Sequence, residues 1–173
     1  MPIYEYDGKK PIIDETAFVS ETAILVGDIT IGKLCYIGHG AIIRADYGRV
    51  IIGDETAVEE GVVIHIDPGA TSLIGKRVTI GHGAIIHSRY IGDEAVIGMG
   101  AILSIGTKIG EGAVVGEGTL IPQGKEVPPH KVALGNPFKI VGDVKEKHKK
   151  FWEFGKKIYI ELAKKYPKVF KKL

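Results

Sequence analysis

The chain has 173 residues, 45% of them hydrophobic and 25% charged, which excludes a disordered chain and fits one domain, two at the most. No apolar run approaches the roughly 18 residues of a membrane helix, and the opening Pro2-Ile3-Tyr4-Glu5 is neither basic nor apolar enough for a secretory leader, so a cytoplasmic protein without a membrane partner is expected. The single cysteine, Cys35, excludes an internal disulfide and a cysteine metal cluster. Asn136 and Gln123 are alone of their kinds while Lys and Glu abound, a bias that fits a heat-adapted source.

From Ile13 onward the chain has a period of six. Aliphatic residues recur at Ile13, Val19, Leu25, Ile31, Ile37 and Ile43, then at Ile52, Val58 and Ile64, then at Ile74, Ile80 and Ile86, then from Ile91 to Val127. Most hexads read aliphatic, Gly or polar, two variable positions, then a small residue. Ile37-Gly38-His39-Gly40-Ala41-Ile42 and Ile80-Gly81-His82-Gly83-Ala84-Ile85 are nearly copies. No helix tolerates glycine at this density. Strands of two or three residues separated by glycine corners do, and three hexads close one triangular coil. Coils stack at the strand spacing of roughly 4.8 Å. The expected fold is therefore all-β, a parallel β-helix over residues 1–142 with an aliphatic column inside. Cys35 occupies a small-residue position and is read as core.

Residues 143–173 differ. They carry 11 lysines and 4 acids, against 12 basic and 17 acidic residues before them. Phe151, Trp152, Ile158, Tyr159, Leu162 and Tyr166 recur at helical spacings. An amphipathic α-helix from about Asp143 to Lys165, docked by this stripe, is expected, its lysines serving solvation rather than nucleic acid.

Assigning hexads in turn to three faces places Leu25, Ile43, Ile64, Ile86, Leu103 and Ile121 on face A. Ile31, Ile52, Ile74, Ile91, Ile109 and Val127 fall on face B, and Val19, Ile37, Val58, Ile80, Ile97 and Val115 on face C. The three breaks in period, after Ile43, Ile64 and Ile86, all fall at the corner from A to B. A solenoid keeps its irregularities on one edge when that edge has a use. Beside it, Arg44, His65, His87 and Ser104 stack one above another. Two histidines one coil apart are within reach of one metal ion. His82 lies on face C, so it joins them only if neighbouring chains meet, as in a homotrimer with three equivalent interfaces. His39 occupies the equivalent hexad position two coils away and is read as structural. His130 and His148 are read as solvent-facing.

The series Arg44-Ala45-Asp46, Gly61-Val62-Val63-Ile64-His65 and Gly81-His82-Gly83-Ala84-Ile85-Ile86-His87 resembles the γ-class carbonic anhydrase family over nearly the whole chain. The resemblance implies a left-handed coil and a homotrimer. It also implies Zn2+, or Fe2+ or Co2+, held by His65 and His87 of one chain and His82 of the next. Arg44 and Asp46 would pair near the interface and the anion site. The implied activity is reversible hydration of carbon dioxide to bicarbonate by a metal-activated hydroxide. Two departures stand out. Ala57 and Glu59 replace family amides, so Glu59 becomes a candidate base, and no acidic insertion supplies a proton shuttle. Two rival expectations remain: a hexapeptide acyltransferase with a single histidine base, and a non-catalytic metal-binding assembly subunit.

Overall fold

The computed structural model describes residues 2–173. Hexads make the coil because each alternates a residue that fits inside with one that does not. Ile37, Ile43, Ile64, Ile80, Ile86 and Ile97 are completely buried, as are the small-position residues Cys35, Ala41, Ala84 and Ala101. Successive coils pair in parallel, with Ile43 beside Ile64, Ile64 beside Ile86 and Ile86 beside Leu103 on face A. Face C pairs Ile37 with Val58, Val58 with Ile80 and Ile80 with Ile97. The expected face assignment holds rung for rung. One closed column of like residues follows, the arrangement a repeat requires to bury its apolar face.

Two details differ from expectation. Faces A and B form one twelve-stranded sheet, with face C separate as an eight-stranded one. The cause lies at the irregular corner, where strands Ile24–Ile31 and Ile42–Ile52 stay extended around the bend. Glycine also does not make every corner. From C to A the chain turns through Gly40, Gly61 and Gly83 at positive φ, but from B to C it uses Leu34, Glu55, Arg77 and Glu94 in the same left-handed region. Glu55, Arg77 and Glu94 are tied there into an ion ladder, with Arg77 2.9 Å from Glu55 and 2.6 Å from Glu94. Past Val127, the last hexad counted, two more strands follow. Lys131–Leu134 adds a rung on face C, and Lys139–Asp143 folds back antiparallel on it.

The C-terminal helix, α1, spans Glu146–Val169, starting later and running further than expected because Lys139–Asp143 is strand. Tyr159, Leu162, Ala163 and Tyr166 dock it against Phe18, Tyr36 and Ala57. Phe18 and Tyr166 lie 4.7 Å apart between ring centroids, and Tyr36 and Tyr159 5.1 Å. Phe151 and Ile158, expected in the docked stripe, are 67% and 42% exposed. An ionic latch takes their place. Buried Lys156 donates to the Glu94 backbone carbonyl and carboxylate, at 2.7 and 2.8 Å, and Arg77 donates to Glu153 at 2.6 Å. The stripe misjudged the docking face because a lysine stem buries as much apolar surface as an isoleucine when its ammonium has partners. Among the described residues no helix is long and apolar enough to cross a membrane.

Candidate metal centre

Parallel register puts Arg44 directly beside His65, and the pairing of Ile64 with Ile86 brings His87 to the next rung. The two imidazoles meet edge to face with centroids 4.9 Å apart. Arg44 donates to Asp46 Oδ2 at 2.5 Å, while Asp46 Oδ1 lies 3.4 Å from His65 Nε2. That last separation is too long for a good hydrogen bond. His65 Nε2 and His87 Nδ1 are both buried without a hydrogen-bond partner. Each such group costs about 1–3 kcal/mol and needs a reason.

The electrostatics fit a ligand pair. Burial pushes the His87 pKa down, and the neighbouring His65 and Arg44 lower it further against an opposing Asp67. His87 is thereby kept neutral, the form that binds metals. Burial pushes the Asp46 carboxyl up, but the Arg44 bond and charge and the Tyr47 backbone N–H outweigh it, holding Asp46 below its ordinary value. The centre therefore pairs an ionised carboxylate with an uncharged imidazole. Orphaned imidazole nitrogens of this kind suit a divalent transition ion such as Zn2+, Fe2+ or Co2+.

His82 is elsewhere, on the corner from C to A, where Gly83 turns the chain with φ near 68°. The same register that stacks Val58 on Ile80 puts Glu60 directly beneath His82. His82 Nδ1 is 2.8 Å from Glu60, and its Nε2 is 3.1 Å from Glu59. Its backbone N–H also donates to Glu59, at 3.1 Å. Tyr36 donates to the other Glu60 oxygen at 2.7 Å. Burial raises the Glu59 pKa, with His82 and Tyr159 opposing. Burial raises that of Glu60 too, but the Tyr36 bond and other partners outweigh it and the net shift is downward. A cavity of about 310 Å³ beside Glu59 and His82 runs under Met99, Trp152 and Tyr159.

Within one chain the structure thus brings together Arg44, Asp46, His65 and His87, and separately Glu59 and His82. No three His, Cys, Asp or Glu side chains among the described residues converge as one site. Glu60 and Tyr36 escaped sequence reasoning. Glu60 was legible in the register, one coil below His82, and Tyr36 reaches it from the rung below while its ring packs on Tyr159 and Tyr166. Cys35 donates to the Gly53 carbonyl at 3.1 Å, and burial pushes its thiol up to about 12, which makes it core rather than nucleophile.

Stacked hexads with polar chemistry gathered at the corners define a hexapeptide-repeat solenoid. The chain belongs to that family: the hexapeptide repeat of succinyl-transferase matches residues 28–65, 72–104 and 90–122. The coil is accordingly a left-handed β-helix with one C-terminal helix. The carnitine operon protein CaiE of Escherichia coli O157:H7 is 32% identical over 99 residues, covering 57% of this chain and 50% of that protein. The chain thus spans about half the length of the curated relatives it matches. A hexapeptide transferase family protein from Anaplasma phagocytophilum superposes with a TM-score of 0.90 at 31% identity, covering 95% of this chain and 98% of that one. An acetyltransferase, so described provisionally, from Bacillus cereus gives 0.91 at 35% identity, covering 95% of each chain.

Proposed function

We propose that the chain is a metal-dependent, γ-carbonic-anhydrase-like hydratase acting at the interfaces of a homotrimer. His65 and His87 of one protomer and His82 of its neighbour would hold Zn2+, or Fe2+ or Co2+. The observation that carries this reading is the pair of buried, partnerless nitrogens on His65 and His87. When bound, the ion would supply Lewis acidity that lowers the pKa of a water to ~7.

The chain's own residues do the rest. Arg44, half-exposed beside His65, draws an anion such as bicarbonate toward the centre. Asp46 orients that guanidinium and faces His65. An apolar ladder on the outside of face A joins Ile42, Val63, Ile85, Ile102 and Leu120 in register. Ile42, Ile85 and Ile102 are exposed, an apolar row suited to a second copy of the chain. It lies between the His82 corner and the His65 corner, so covering it draws the two half-sites toward each other.

A second reading has its own support. The structural neighbours are named as transferases, and an acyltransferase needs only one histidine base. The two separate cleanly. Stopped-flow hydration of carbon dioxide by metal-loaded protein, abolished by chelation and by His87→Ala, supports the hydratase. Release of thiol from an acyl-CoA, indifferent to chelation, supports the transferase. Metal binding with neither activity leaves a non-catalytic assembly subunit.

A further inference from the structure

His82 is held differently from the other two histidines. His65 and His87 have nitrogens with no partner, whereas both ring nitrogens of His82 face carboxylates of its own chain. For His82 to serve the shared centre, one of those contacts must be kept and the other changed. Three observations say which. Glu60 is anchored: Tyr36 donates to one of its oxygens at 2.7 Å while the other stays 2.8 Å from His82 Nδ1. A carboxylate only accepts, so the ring proton is assigned to Nδ1, the nitrogen with the closer carboxylate, which leaves Nε2 with a lone pair to give. Glu59 Oε2 lies 3.1 Å from that Nε2 and is itself held by the His82 backbone N–H. Two donor atoms at that separation are as close as neighbouring ligands on an ion with bonds of roughly 2.1 Å. Glu59 is also buried among Thr79, Ile97 and Tyr159, where an ionised carboxylate needs a cation.

We infer that Glu60, braced by Tyr36, is a positioning residue that fixes the His82 ring, and that Glu59 joins His82 as an oxygen ligand of the shared ion. This rests on the interfacial centre proposed above. The consequence is a centre with three imidazoles and one carboxylate. The carboxylate removes one positive charge and weakens the Lewis acidity of the centre. Slow hydration chemistry follows from the same substitution.

The test uses Co2+-loaded trimers, reading visible absorption and affinity by chelator competition. Glu59→Leu, of similar length and without oxygen, should intensify the absorption, because losing a ligand lowers the coordination number, and should weaken binding. Glu59→Ala serves as the second variant should Leu disturb packing. Glu60→Gln and Tyr36→Phe should weaken binding roughly 10–100-fold with the wild-type band shape kept. Wild-type spectra and affinity in both Glu59 variants overturn the ligand role. Wild-type affinity in both Glu60→Gln and Tyr36→Phe overturns the positioning role. His65→Ala that keeps Co2+ at wild-type affinity removes the shared centre itself, a result distinct from either.

Discussion

His39 and His82 sit at the same place in nearly identical hexads, two coils apart, each followed by a glycine with φ near 69° or 68°. Their surroundings share almost nothing. His39 Nδ1 bonds Ser20 Oγ at 2.6 Å, and its ring packs on Phe18, Tyr166 and Phe170. His82 faces two carboxylates and is 47% exposed. Glu60 stands between them in the column, one rung from each, yet its carboxylate lies against the ring of the upper histidine, at 2.8 Å. Position in a repeat fixes where a side chain is. What it does is set by the neighbours on adjacent coils and by which stretch of α1 lies over it.

The largest contrast should be in metal content. On the proposed shared centre, His82→Ala is expected to lose most of the metal and His39→Ala none, as measured by elemental analysis of metal-loaded, purified protein. Mixed assembly sharpens this. Trimers of His65→Ala with His82→Ala should recover part of the metal, because some interfaces pair an intact half-site from each chain. Trimers of His65→Ala with His87→Ala should recover none, since both lesions fall on one chain's half. Equal recovery in the two mixtures breaks the split-site reading.

Next in size is the core beneath each histidine, where the two hexads should behave alike. Ile37 and Ile80 are both fully buried, so Ile37→Ala and Ile80→Ala should each cost about 2–5 kcal/mol in denaturant unfolding. A large cost for only one would show that the rungs differ inside as well as outside.

The helix packed on face C gives smaller effects. Its C-terminal half packs on the His39 rung through aromatic rings, while its N-terminal half is latched by ions. Arg77→Ala should cost about 1–2 kcal/mol. That is less than a fully buried pair, because Glu94 and Glu153 are 44% and 43% exposed. Acid should act on the same latch. Burial pushes the Glu153 carboxyl up, but the Arg77 charge and bond outweigh it and lower the pKa. The folded value then lies below the unfolded one of about 4.3. The unfolded state binds more protons in that window, so the contribution is present above it and is lost as pH falls through the folded value. Trp152 emission should shift red in that window in the wild type. In Arg77→Ala the acid-dependent step should shrink. No difference between the two would mean that the ions do not hold the helix.

The sequence by itself determined the coil, its register and the pairing of His65 with His87. A period of six is a direct statement of which residues point inward, and parallel stacking converts sequence position into height along the axis. That is why Ile43, Ile64 and Ile86 align as counted, and why Arg44 stands beside His65. The same arithmetic puts Glu60 under His82, though the histidines alone do not draw attention to it. Only the tertiary structure decided which face of α1 docks, since the helical stripe alone favoured Phe151 and Ile158 over buried Lys156. It also decided that Asp46 lies too far from His65 for a bond, that two histidine nitrogens are left without partners, and that Tyr36 reaches Glu60. Those outcomes depend on side-chain reach and on packing between distant segments, and a repeat pattern records backbone height but neither of these.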